Sequence, residues 1–144
     1  MTTPSAVSRP SGIPLHRRLA ARLAVGLAGV LAALPPRRIR SVLALLRGGA
    51  APASYRQAQE ARNAVLAVSL SCAGPQGCLR RSVATALLCR MTGRWPTWCV
   101  GVRMLPPFGA HAWVEADGRL VDEDVPETYF SRLMTLPPKD HAPS

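Results

Sequence analysis

The chain has 144 residues, 48% of them apolar, which suits one domain with a buried core. Its net charge of +10 is uneven: residues 1–77 hold ten arginines and one acid, Glu60, while residues 78–144 sit near balance, with Lys139 the only lysine. No pair among Cys72, Cys78, Cys89 and Cys99 forms a C-x-x-C unit, so a structural metal site is not expected, and no other cofactor is called for.

Residues 1–13 are rich in Ser, Thr, Pro and Gly and read as a disordered tail. From 15 to 34, Leu19, Leu23, Leu27, Val30, Leu31 and Leu34 recur at helical spacing as one apolar stripe, with small residues on the other side. Arginines before an apolar run imitate an export signal. Arg22 interrupts the run, however, and Leu19 to Leu34 is short of the roughly 20 residues a membrane span needs. We therefore expect a cytoplasmic protein with free thiols and no membrane contact, and the sequence leaves open what the stripe meets.

Pro35 and Pro36 end the first helix, and a second is expected over 37–47, stopped by Gly48 and Gly49. Ser54-Tyr-Arg-Gln57 matches a capping box and predicts a helix over 55–70. Gly74-Pro-Gln-Gly77 is a loop, and Cys78 opens a helix reaching about Met91, with Leu79, Val83, Ala86 and Leu87 on one face. The pattern then changes. Residues 97–104 read as a strand, 106–109 as a turn, and 111–116 as a strand with His111, Trp113 and Glu115 on one face. Asp117-Gly118 is a hairpin signal, and 119–124 is the expected return strand. Helices followed by a small antiparallel sheet define an α+β fold.

Cys78 is the cysteine placed for chemistry. The first turn of a helix offers unpaired N–H groups and the positive end of the macrodipole, and both favour a thiolate. A glycine-rich loop beside it lets a substrate backbone approach, with Gln76 as a candidate oxyanion-hole donor. The other three cysteines read as packing residues. Among the histidines, His16 lies between the tail and a run of arginines and His141 lies near the C-terminus, so His111 alone has a rigid mount. An imidazole paired with a thiol needs a third group to fix its tautomer. A two-residue turn pairs Ala116 with Arg119 and sets His111 opposite Asp124. A three-residue loop with a bulge sets it opposite Glu123. Asp122, Glu123 and Asp124 are therefore all candidates.

Cysteine at a helix start, histidine on a strand and an acid on the next is the order of the papain-like transglutaminase core, and "GAHAWVEADGRLVDED" resembles its histidine strand. More narrowly, "CLRRSVATALLCRMTGRWPTWCVGVRMLPPFGAHAWVEADGRLV" resembles the leader peptidases of lasso peptide biosynthesis, the small B proteins of microcin-maturation type. The resemblance covers about 15–135. It implies one peptidase domain over 14–136, with a basic helical part (14–70), a catalytic core (72–130) and a tail at 137–144. It places the nucleophile on Cys78 and the histidine on His111. Its acid, usually aspartate twelve positions later, falls on Glu123, a departure that leaves Asp122 and Asp124 as alternatives.

The activity so implied is thiol-dependent removal of the leader from a ribosomally made precursor peptide, which frees the core N-terminus. The implied partners are that precursor, a separate leader-binding recognition protein and an ATP-dependent cyclase that closes the macrolactam. The basic helical half, including Arg37, Arg38 and Arg40, is the expected docking surface. Two other readings share these residues less well. One is another acyl-transfer enzyme on the same core. The other is a non-enzymatic basic module. Tyr55 is the only aromatic residue of the basic half, which argues against base stacking, and no nucleic acid is expected.

Overall fold

The computed structural model describes residues 12–69, 77–106, 108–123 and 129–138. The expected tails at 1–13 and 137–144 fall largely outside these residues, as do Cys72, Gln76, Asp124 and His141. In chain order the elements are α1 (Leu15–Leu31), α2 (Pro36–Leu46), β1 (Ala51–Pro52), α3 (Tyr55–Val68), α4 (Cys78–Met91), β2 (Arg94–Trp95), β3 (Thr97–Arg103), β4 (Ala110–Ala116), β5 (Arg119–Leu120) and β6 (Phe130–Leu136). The protein is α+β.

Both prolines act at the α1–α2 boundary, but as a start rather than a stop. The helix α1 ends at Leu31, three residues earlier than the stripe implies. Pro36 is the first residue of α2, where its missing N–H leaves no donor unpaired. Ser54 caps α3 with a complete capping box. Its hydroxyl accepts from the Gln57 N–H at 3.1 Å, and the Gln57 side chain accepts from the Ser54 N–H at 2.9 Å. Such a cap contributes about 1 kcal/mol.

The centre of the molecule is α4, which packs against α1, α3, β2, β3 and β4. Every residue from Arg81 to Cys89 is buried, so the helix is enclosed on all sides rather than on the single face its apolar residues suggest. Its polar side chains find partners inside. Thr85 Oγ1 donates to the Arg81 carbonyl at 2.7 Å, and Ser82 Oγ accepts from the Trp98 indole at 3.1 Å.

The stripe on α1 faces outward. The residues α1 buries completely are Ala21, Ala24 and Ala28, which let its backbone lie close against α3 and α4. The Arg80 guanidinium lies beside Gly29, 3.5 Å from where a Cβ would stand. Only Leu31 and Leu34, at the end of the stripe, pack against the core.

The main sheet has strand order β5-β4-β3-β6, all antiparallel, and β1 pairs with β2 in a separate parallel ladder. One face of the main sheet, carrying Trp98, Val114, Ala116 and Leu136, joins the helical core. The other gathers Cys99, Trp113 and Phe130. The register of β3 against β6 shifts between Val100 and Gly101. There the two chains are so close that a Cβ on Gly101 would lie 2.1 Å from the Ser131 carbonyl oxygen. Among the described residues no helix is long and apolar enough to cross a membrane.

Candidate active site

Gly77 caps α4 and Cys78 is its first residue. The first-turn N–H groups of a helix have no intrahelical partner, and no acid in this turn offsets their positive end. Cys78 is partly buried. Burial is the strongest single influence on its thiol and opposes ionisation. Against it act the His111 imidazole, the backbone N–H of Ala112 and the charge of Arg81. Together they win, and the Cys78 pKa lies below that of an ordinary thiol.

His111 is the second residue of β4, paired across the ladder with Gly101. Its Nε2 hydrogen-bonds Glu123 Oε1. With Nε2 so occupied, Nδ1 is the nitrogen left for Cys78. Nδ1 is buried and closes no hydrogen bond of full geometry, although thiol and ring interact strongly enough to move both groups. Burial lowers the imidazole pKa, but the influence of the Cys78 thiol and of the Glu123 carboxylate outweighs it, so the His111 pKa is raised. The two shifts have one sense: both stabilise a thiolate–imidazolium pair.

The ring plane is fixed from the side. Phe130 stacks on His111 at 4.7 Å between centroids and 16° between planes, and on Trp113 at 4.8 Å and 24°. Trp113 is held in turn, since its Nε1 donates to Glu115 Oε2 at 2.8 Å and that oxygen also receives Arg132. Glycine at 101 leaves space for this stack, because a Cβ there would also press on the Trp113 ring at 3.0 Å.

The structure separates two of the three candidate acids, Asp122 and Glu123. The hairpin turns through Asp117 and Gly118, both at positive φ (53° and 73°), and pairs Ala116 with Arg119. This is the two-residue register, from which Asp124 was the expected partner of His111. The ladder, however, stops at Leu120 instead of running to 124. Asp122 adopts φ 52°, a left-handed conformation that aspartate tolerates, and re-aims the chain so that Glu123 reaches His111. Asp122 turns to α3 instead. It accepts from Tyr55 Oη at 3.2 Å and Gln59 Nε2 at 2.9 Å, while its N–H donates to Tyr55 Oη at 3.1 Å. Asp124 and Gln76 lie outside the described residues.

Sequence reasoning missed Arg62 of α3. This guanidinium is only 6% exposed and lies 3.7 Å from Glu123 Oε2 and 3.9 Å from Asp122 Oδ2. Burial, followed by the Arg81 charge, lowers its pKa from the usual arginine value. Glu123 thus gives one oxygen to the imidazole and turns the other to a cation. A signal was present, since Arg62 interrupts a helical stripe of Ala58, Ala61 and Val65. Cys89 and Cys99 are buried, with the Cys89 thiol pushed up to about 12 by burial and that of Cys99 pushed up by burial and by Glu115. Neither is poised to ionise. Among the described residues no three His, Cys, Asp or Glu side chains come together as a metal-binding group.

A strand-borne histidine between a cysteine at a helix start and a carboxylate belongs to a class of thiol acyl-transfer folds. The profile of the Transglutaminase-like superfamily matches residues 21–135, and the chain belongs to that superfamily. No curated protein and no solved structure matches it.

Proposed function

We propose that this protein is a cysteine peptidase that removes the leader from a ribosomally made lasso peptide precursor. The observation that carries the reading is the convergence of Cys78, His111 and Glu123, with opposite pKa shifts on thiol and imidazole. Cys78 thiolate attacks the carbonyl carbon at the leader–core junction, forming a C–S bond and an oxyanion. The Cys78 N–H, unpaired within the helix, is a donor for that oxyanion. The tetrahedral intermediate collapses as His111 gives its proton to the core amine, which leaves. A water then attacks the thioester with His111 as base, releasing the leader carboxylate and restoring the thiol. Glu123 orients the ring and balances its charge throughout.

The sequence of the chain from Cys78 to Val121 supports the narrower substrate class through its resemblance to lasso leader peptidases. On this reading a recognition protein delivers the precursor, and an ATP-dependent cyclase consumes the freed amine. The test is mass spectrometry of a lasso precursor incubated with the protein and its recognition partner, beside Cys78→Ala. One cut at the leader–core junction, absent in the variant, is the expected result. A cut that survives Cys78→Ala, or no cut with the partner present, refutes the proposal. Transfer of the same acyl group to an added amine in place of water would identify an acyltransferase instead.

A further inference from the structure

The outward stripe of α1 is large for a surface helix. Leu15, Leu19, Leu23, Leu27 and Val30 are 71, 59, 59, 47 and 70% exposed. The four leucines form an unbroken i, i+4 row about 18 Å long. Rows of this kind are the ridges with which helices most often interdigitate. We propose that this ridge is the docking surface for an amphipathic helix of a partner polypeptide that carries carboxylates along its apolar edge.

Charge defines the occupant. Residues 12–50 contain seven arginines and no carboxylate. Arg22, beside Leu23 on the same helix, is exposed, as are Arg37, Arg38 and Arg40 of α2. A second copy of the chain fits poorly, because antiparallel self-pairing about the middle of α1 would bring Arg22 near its own twin. Residues 1–11 carry Arg9 and no acid, so they lack the complementary charge. A bilayer is disfavoured by composition, since residues 12–50 have no Trp, Tyr or Phe to seat at a headgroup boundary.

The direction of the ridge adds to the case. Gly29, near its end, lies against Arg80, two residues after Cys78, while Arg17, near its start, acts electrostatically on Cys89 at the far end of α4. A helix docked along α1 is therefore led toward the end of α4 that bears the reactive thiol. The proposal stands whether or not Cys78 hydrolyses a peptide bond.

The test uses the full chain as Cys78→Ala, so that peptide cleavage cannot alter the signal. The probe is a fluorescein-labelled helical peptide of about 20 residues, with leucine at its a and d positions and glutamate flanking them. A version with lysine for glutamate is the control. Vesicles of phosphatidylcholine with about 30% phosphatidylglycerol form a separate arm. Fluorescence anisotropy is expected to show saturable binding of the glutamate peptide only. Affinity is expected to fall at least tenfold in Leu19→Gln/Leu23→Gln/Leu27→Gln and in Arg22→Glu, with thermal melting unchanged. Equal binding of the two peptides, full binding by the triple variant, or binding of vesicles in preference to the peptide overturns the proposal. None of these outcomes touches the peptidase reading, which is decided by precursor cleavage.

Discussion

Replacing Arg62 with methionine keeps the aliphatic stem and removes the cation that faces Glu123 and Asp122. At 3.7 Å and an effective dielectric near 20, the gross attraction to Glu123 is about 4 kcal/mol. Desolvation of the buried guanidinium offsets part of this. Asp122, with a side chain 29% exposed and three hydrogen bonds to Tyr55 and Gln59, adds less. What remains in Arg62→Met is a carboxylate only 13% exposed that keeps His111 and loses its cation. Breaking such a pair from one side costs about 3 kcal/mol, which corresponds to a melting temperature lower by about 10 °C. The specific signature is coupling. In a double-mutant cycle of Arg62→Met with Glu123→Gln, followed by urea denaturation, the double variant is expected to be more stable than additivity predicts by at least about 1 kcal/mol. Additivity within about 0.5 kcal/mol would refute the reasoning, because Arg62 would then be a packing residue indifferent to the acid.

Iodoacetamide alkylation of Cys78, followed by peptide mapping, tests the thiol–imidazole pair without any substrate. Because the Cys78 pKa is lowered, its thiolate persists below the ordinary thiol range and is lost only as pH falls through the depressed value. In His111→Ala, burial acts with less opposition, and the rate at pH 7 is expected to drop at least tenfold; an unchanged midpoint would refute the pairing. Glu123→Gln and Asp122→Asn are expected to separate function from anchoring. The first slows precursor cleavage at least a hundredfold, while the second costs about 1–2 kcal/mol of stability and leaves most turnover intact, and the reverse order would reassign the acid. Gly101→Ala is expected to destabilise the chain by more than about 2 kcal/mol, since a Cβ would meet the Ser131 carbonyl oxygen at 2.1 Å; a melting curve like that of the parent would refute this close approach of β3 to β6.

Local signals were readable and long-range ones were not. The capping box placed the start of α3, and the loop before Cys78 placed the start of α4, because each depends on neighbours within four residues. The Asp117-Gly118 turn placed the hairpin for the same reason, and of the two registers it allowed the structure takes the one that pairs Ala116 with Arg119. That register does not run the expected length to 124, because the ladder ends at Leu120 and Asp122 turns left-handed, and an aspartate there is equally compatible with extended backbone. Arg62 meets Glu123 from α3, far away in the sequence, a pairing no local pattern encodes. The strand β6 was not anticipated at all, nor was the place of Phe130 beside His111, which only the assembled sheet creates. On α1 the period identified two faces but not the inner one, since alanines allow the closer helix contact and were the face buried.

One face of α3 holds the hairpin at three points. The Tyr55 N–H donates to Asp117 at 2.8 Å, Tyr55 Oη and Gln59 hold Asp122, and Arg62 faces Glu123. The carboxylate at His111 is therefore only as steady as the seating of a helix that contributes nothing to the thiol itself. Partial lifting of α3 from the hairpin would release the acid while α4 and the β3–β4 pairing stay intact. On heating, the acidity of Cys78 would then decay ahead of the far-ultraviolet circular dichroism signal, giving two separate melting curves for one small protein.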